Sequence, residues 1–567
     1  MRPLAVMTTM LRRNMACVVG GPRASFGERV VRLLTAALVA AGFILRMRGY
    51  FWRASAFWLD ECTWAMLIVE RPLAELAIRP VGFMWVSRLL GTHIALTEPV
   101  LRFMPWLAGM ITVALSPALA RRLFVNPAAR LLFVAIMAFH PAAIDLSKEY
   151  KPYSCSLMLH LLLVFLALRY VDTRRARELG WLLFAATVGG LFAQDLLFAY
   201  PGVFLLAGYT ALRERRKQLL PIFGVACLIL GLIVFQYFWS WNQTPASDRD
   251  VWASKYNVFY SGRHGYLAWL LERHTGMATF PAFRQKFWQA PWLGARDIDL
   301  LRKVEDSVWL CLHVIGVVVL LGWRQKRALL LLMPMAVVWT FNLLRFWPIG
   351  AFRTNLFVVG YVSAIACTAL DAPASVFGKL RDVVPALLLV VAPFLLLDPD
   401  WNAHKRALTH SSEFPRLLNE LVSVKAATDG SEREPLVLDR RSCDPFRYYT
   451  QFHPRVSREA GDAIKKAFDT TCVPEEAPYR RTLLHAIQHA PHHAWTILHT
   501  SRPVRTMLHR HQLGDAVLVY DQHFGAHTIM AFASPENTAE RASESGEVPE
   551  PPHGDDEPGE DGKNGGF

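Results

Sequence analysis

The chain is dominated by apolar blocks close to the length at which a helix crosses a bilayer, and most of them are closed by a cluster of Arg or Lys. Such a run buries its side chains in lipid and satisfies its backbone polar groups within its own helix, which excludes most soluble folds at once. In order, the blocks are Val30–Leu45, Val100–Ala120, Leu131–Ile144, Ser154–Leu168, Trp181–Phe192, Leu196–Leu212, Leu219–Trp239, Val308–Leu321, Ala328–Leu344, Asn355–Leu370 and Val383–Leu397. They predict about eleven transmembrane helices. Between the first two, from Trp64 to Leu96, charges at Glu70, Arg71, Glu75, Arg79 and Arg88 interrupt the pattern, which suits helices lying along the interface.

With 53% hydrophobic and 19% charged residues among 567, the chain reads as a polytopic membrane protein. Its formal charge of +14 lies in short runs between apolar blocks and forms no continuous basic surface, so no nucleic acid partner is expected. Alternate threading puts Arg121-Arg122, Arg174 to Arg177, Arg213 to Lys217, Arg324 to Arg327 and Lys379-Arg381 on the side of the N-terminus, the positive-inside pattern. Residues 1–29, with Arg12, Arg13, Arg23 and Arg29, read as a cytoplasmic basic leader and not a cleaved signal peptide. Residues 30–399 form the membrane domain, with outer-face loops at 47–99 and 242–306.

The same threading brings the unusual polar segments to the outer face. Asp60 and Glu61, flanked by Trp58 and Trp64, follow the first block. Two adjacent carboxylates at a lipid interface cost free energy unless they meet a cation, a metal or a proton to abstract. The alternative is a helix-start pair neutralised by Arg53. Ser147-Lys148-Glu149-Tyr150-Lys151-Pro152-Tyr153 links two blocks; it is either an interface loop with snorkelling Lys and belt Tyr, or a phosphate cradle built on Lys148 and Lys151. Arg345 and Arg353 present the same choice between phosphate clamp and span anchor.

From about residue 400 to 534 the composition turns to that of a soluble α/β domain. Pro435–Asp439, Ala494–Leu498, Ala516–Tyr520 and Thr528–Phe532 predict strands, and Ser457–Phe468, Tyr479–His489 and Val504–Gln512 predict helices. Cys443 and Cys472 lie in this part, and an oxidising compartment favours a disulfide between them, with two free buried thiols as the alternative. Residues 535–567 are acidic and nearly without apolar groups, the composition of a disordered tail. His485 and His489 are four apart on a helix, but no acidic partner accompanies the His-rich run, which reads as a solvated face. Asp248-Arg249-Asp250 and Asp297-Ile298-Asp299 read as solvated loop acids. No phosphate-binding Gly loop and no His-Glu-x-x-His occurs, so ATP-driven transport and zincin proteolysis have no support.

Several stretches together resemble the bacterial glycosyltransferase family 39-like proteins of the GT-C class, polytopic enzymes that include protein mannosyltransferases and lipid A aminoarabinose transferases. They are Leu59-Asp60-Glu61, Arg79-Pro80-Val81-Gly82-Phe83, Glu98-Pro99-Val100-Leu101-Arg102, Ser147 to Ser154, Arg353-Thr354-Asn355-Leu356-Phe357 and Pro445-Phe446-Arg447-Tyr448-Tyr449. The resemblance implies an all-α GT-C membrane domain followed by an extracytoplasmic α/β domain, in the inner membrane of a bacterium. It implies a donor sugar on a polyprenyl phosphate, inverting transfer to a glycan, lipid or protein acceptor, and Asp60 as general base beside Glu61. Lys148, Lys151, Arg353 and Arg345 are then the candidates for the donor phosphate, with Glu149, Tyr153, Arg53 and Arg102 as further site residues. No cofactor is implied outright, and a divalent metal stays open. Where relatives often carry two prolines this chain has Arg79-Pro80, and no proline follows Phe357 closely.

Two other classes stay open at this point: a transporter or flippase of a lipid-linked sugar, and a non-catalytic membrane assembly protein of the same fold. Ionisable residues at span ends, with no internal repeat, favour the enzyme over the transporter. A reporter fused after Asp439 should read out on the outer side of the membrane; a cytoplasmic signal would overturn the topology and the donor together.

Overall fold

The computed structural model describes residues 26–48, 50, 56–57, 59–72, 80–214, 216–243, 265–278, 295–323, 325–349, 353–371, 413–427, 432–473, 476–498, 513, 516–524 and 527–533. The expected leader before residue 26, the span Val383–Leu397, most of the loop 242–306, the helix Val504–Gln512, Arg53 and the tail lie outside the described residues. The chain divides into two compact units. Unit 1 takes 1–53, 71–89 and 101–403, and unit 2 takes 54–70, 90–100 and 404–567. Composition draws a single boundary near residue 400; the compact units instead give two early pieces of the chain, 54–70 and 90–100, to the C-terminal part.

Unit 1 is helical. Among the described residues, five helices are long and apolar enough to cross a membrane: Glu28–Met47, Phe103–Leu123, Tyr153–Thr173, Asp306–Trp323 and Lys326–Leu343, or six if the bent pair Pro127–Phe139 and Pro141–Lys148 is one span. Helices Ala176–Phe192, Tyr200–Glu214, Leu219–Gln243 and Leu356–Thr368 pack with them. This is a multi-pass membrane protein. The apolar core runs from Leu119 to Leu370, and Leu356–Thr368 is buried along its whole length.

The bend in the pair, 51°, has a readable cause. Pro141 has no N–H to give to the carbonyl of Met137, four residues back. Arg46 replaces it: its guanidinium, fully buried, donates to Met137 O at 2.9 Å and to Ala138 O at 2.8 Å, and also to Gly42 O at 3.1 Å. A cation on helix C-terminal carbonyls is matched to the helix dipole as well as to the missing bonds.

Unit 2 carries a five-stranded mixed sheet: β1 Glu434–Asp439, β2 Phe468–Val473, β3 Ala494–Leu498, β4 Val517–Phe524 and β5 His527–Ala533. Their order is β2-β1-β3-β5-β4, with β1 parallel to β2 and β3, and β5 antiparallel to β3 and β4. β2 occupies residues that the apolar pattern leaves between elements, because this edge strand is polar and exposed along its middle. Helix Glu476–His489 covers one face. At one end of the sheet the buried Glu434 carboxylate accepts from Trp495 Nε1 at 2.5 Å and meets Lys425 Nζ at 3.3 Å, which ties helix Phe414–Ala427 to β1 and β3.

Register explains the disulfide. Leu438 pairs with Cys472, and Cys443 lies one turn further along the chain on helix Arg440–Arg447, so the two Cα atoms stand 5.7 Å apart and the cysteines are joined. By the loop-entropy rule, a bridge closing a separation of 29 residues stabilises by about 3–4 kcal/mol. Replacing both cysteines by Ser in the full-length protein should lower the denaturation midpoint of unit 2 accordingly, read as protease sensitivity of residues 432–533, while the helices of unit 1 keep theirs.

Candidate functional site

The acid pair opens helix Leu59–Glu70, whose first turn favours negative charge through the helix dipole. Asp60 is partly exposed, and Glu61 is buried. This helix belongs to unit 2 and is held there by residues of the C-terminal part. Thr63 Oγ1 donates to Asp444 Oδ2 at 2.6 Å, and Glu70 pairs with Arg447 at the last turn. The backbone entering the helix is held as well: Phe57 N–H donates to Tyr449 Oη at 2.6 Å. Tyr449 Oη–H donates in turn to Glu98 Oε1 at 2.7 Å, while Glu98 Oε2 lies 3.3 Å from His453 Nε2. Beside them, Tyr448 donates to Leu96 O at 2.9 Å and packs on Phe57 at 5.3 Å.

The electrostatics of this group follow from burial. Burial pushes the Glu98 carboxyl up, but hydrogen bonds from His453 and Tyr449 outweigh it and hold the group below the ordinary carboxylate range. Burial, and next the Glu98 charge, push the Tyr449 phenol well above its usual value, so it stays a donor.

The remaining site candidates lie in unit 1. Segment Leu146–Lys148 is a 3-10 turn at the foot of the bent pair, and Tyr153 starts the next long helix. Glu149, Tyr150 and Lys151 are buried; Lys151 N–H donates to Glu149 O at 2.7 Å, and Tyr150 stacks on Phe83 at 5.6 Å. Lys148 interacts electrostatically with Asp145, Arg46 and Arg48, so one acid and two further cations lie within its electrostatic reach. Helix Phe103–Leu123 passes close behind through Gly109, where a Cβ would stand 2.6 Å from Ser147 Cβ, so any side chain there displaces the segment. Buried Arg102 interacts with Tyr50, which stacks on Trp106 at 4.8 Å.

Arg345 is exposed just after helix Gln325–Leu343, with a left-handed φ of 59°. Arg353 begins the turn Arg353–Asn355; its side chain is outside the description. Asn355 closes this loop, accepting from Trp347 Nε1 at 2.7 Å and donating to Pro348 O at 3.0 Å. Among the described residues, no group of three or more His, Cys, Asp or Glu could hold a metal ion. The His485 and His489 rings stack at 4.1 Å on an exposed helix face. Sequence reasoning names Arg102 and the Lys pair but gives no role to Arg46, Arg48, Asp145, Glu98 or His453. Each of these acts through contacts with distant residues that no local spacing marks.

Residues 79–241 match the family described as dolichyl-phosphate-mannose-protein mannosyltransferase. That stretch contains Glu98 to Arg102 and Ser147 to Ser154, so the resemblance to polytopic glycosyltransferases is met over these motifs. No curated protein matches the sequence. Among solved structures, the chain is similar to ArnT from Cupriavidus metallidurans in the apo state, at 13% identity and a TM-score of 0.47, covering 89% of this chain and 98% of that one. The same protein bound to undecaprenyl phosphate gives 13% identity, a TM-score of 0.45 and coverage of 90% and 98%. The Archaeoglobus fulgidus oligosaccharyltransferase in complex with Zn and sulfate gives 12% identity, a TM-score of 0.39 and coverage of 84% and 69%.

Because the folded Glu98 carboxyl titrates below its unfolded value, its contribution to stability is complete above the ordinary value of about 4.3 and is lost as pH falls through the lower folded value. The melting temperature of unit 2 should therefore drop on acidification below about pH 4. Glu98→Gln should melt lower than wild type at neutral pH, and the gap should close in acid.

Proposed function

We propose that the chain is a GT-C-type membrane glycosyltransferase that moves a sugar from a polyprenyl-phosphate donor to an acceptor at the outer face of a bacterial inner membrane. The observation that carries this reading is the family match over residues 79–241, because it contains the Ser147–Tyr153 segment, where Lys148 feels the charges of Arg46, Arg48 and Asp145. Cations at the foot of apolar helices suit a phosphate that reaches them on a lipid, and in a medium of low dielectric they stabilise the charge that develops when it leaves. Lys148 and Lys151 are the first candidates for that role, joined by Arg46 and Arg48, with Arg353 and Arg345 on the loop closed by Asn355.

The chemistry balances as follows. Asp60 takes the proton of the acceptor hydroxyl, the freed oxygen bonds to the anomeric carbon from the face away from the phosphate, and the bond from that carbon to phosphate oxygen breaks. The electron pair leaves with the lipid phosphate, and the anomeric centre inverts. The outer-face reading is supported by the membership of the acid helix and the C-terminal sheet in one unit, together with the positive-inside threading of the sequence.

Asp60→Asn keeps the shape and removes the base, so turnover should fall by about 10²- to 10⁴-fold. The check is mass spectrometry of lipid-linked sugars and envelope glycans in membranes with equal amounts of wild-type and variant protein. Accumulated donor and a missing glycan are expected; unchanged turnover would remove Asp60 from the mechanism.

A further inference from the structure

Tyr449 occupies an unusual place in unit 2. Its side chain is fully buried, and its one hydroxyl accepts from Phe57 N–H at 2.6 Å and donates to Glu98 Oε1 at 2.7 Å. Phe57 stands three residues before Asp60, where the chain enters helix Leu59–Glu70. The Glu98 carboxylate is fixed from its other side. His453 Nδ1 accepts the amide N–H of Val456 at 3.2 Å and of Arg455 at 3.4 Å, which leaves the ring proton on Nε2 to point at Glu98 Oε2. A chain of bonds thus runs from His453 through Glu98 and Tyr449 to the backbone in front of the acid pair.

Cohesion alone does not call for this arrangement. The rings of Phe57, Tyr448, Tyr449 and Phe414 already pack on one another, with centroids 4.9 to 5.9 Å apart. A buried carboxylate among such rings costs several kcal/mol of desolvation, and an apolar isostere is often at least as stable. What the carboxylate adds is direction: it orients the phenol, and the phenol fixes one backbone N–H. Thr63 on Asp444 and Glu70 on Arg447 hold the body and the end of the helix, downstream of Asp60.

We propose that Tyr449 is a positioning residue for the acid pair, held in register by Glu98 and His453, and that it sets the point at which helix Leu59–Glu70 begins and hence the aim of the Asp60 carboxylate. The proposal rests on the reading of Asp60 as general base. It gives one task to residues that lie far apart in the sequence, Glu98 on one side and Tyr449 and His453 on the other. Geometry of this kind acts on the chemical step more than on binding, since a displacement of about 1 Å at a reacting group costs up to roughly 10²-fold in rate.

The test uses full-length protein in lipid nanodiscs, with Tyr449→Phe set against Tyr448→Phe. The second variant also loses a phenol hydroxyl in the same ring cluster, one that bonds to Leu96 O. Turnover is read as release of polyprenyl phosphate from total lipid-linked sugars extracted from host membranes, over a dilution series that separates kcat from apparent KM. Amide hydrogen exchange over residues 57–64 reports the helix entry without need of activity. Tyr449→Phe should lower kcat about 10- to 100-fold with KM unchanged, and should speed exchange at residues 57–64, whereas Tyr448→Phe should leave kcat as in wild type. Wild-type kcat and exchange in Tyr449→Phe would overturn the proposal, as would equal losses of kcat and melting temperature in both variants. Should Asp60→Asn retain turnover, the base assignment fails on its own, and the exchange data still decide whether Tyr449 fixes the helix entry.

Discussion

A carboxylate taken out of water must be met by donors, and Glu98 meets that demand with residues from a distant part of the chain. One oxygen takes the phenol of Tyr449 and the other faces His453, so Glu98 is bound to residues some 350 positions later. The neighbouring residues Asp444, Arg447 and Tyr449 receive Thr63, Glu70 and Phe57. The acid helix is therefore part of the fold of the C-terminal unit, although the chain makes it long before.

An equivalent demand shapes unit 1. Pro141 takes one donor from the ladder of the bent helix pair, and in a lipid environment the carbonyls left behind need another. Arg46 supplies it, and so a cation sits fully buried beside Ser147 and Lys148. A residue that repairs a helix break is then also one of the charges around the segment read as a phosphate cradle. Structural and electrostatic roles coincide because a guanidinium has five donors and the two carbonyls of the break engage only part of them.

Much of this was legible in the sequence where the signal is local. Apolar blocks ended by Arg and Lys announced a multi-pass protein, and Leu436 to Leu438 or Thr528 to Phe532 announced buried strands through their composition. β2 escaped because Asp469 to Cys472 face solvent on an edge, where no apolar alternation is required. Helix Arg440–Arg447 escaped because its residues are mostly polar and its value lies in contacts with Thr63 and Glu70. The membership of 54–70 and 90–100 in unit 2 rests on hydrogen bonds spanning 350 to 390 residues, and no period or spacing carries such information. Asp60 could be singled out by its setting, but the residues that hold its helix could not.

The distance along the chain between Phe57 and Tyr449 also sets a clock. Their separation is 392 residues, which a ribosome adding roughly 5–20 residues per second covers in about 20 to 80 s. Through that interval the acid helix has left the first membrane segment but has none of its partners from helix Arg440–Arg447 or from Tyr449. The acid helix is thus made early and tied down late. Synthesis itself leaves the entry of this helix without its phenol partner until residue 449 has been added.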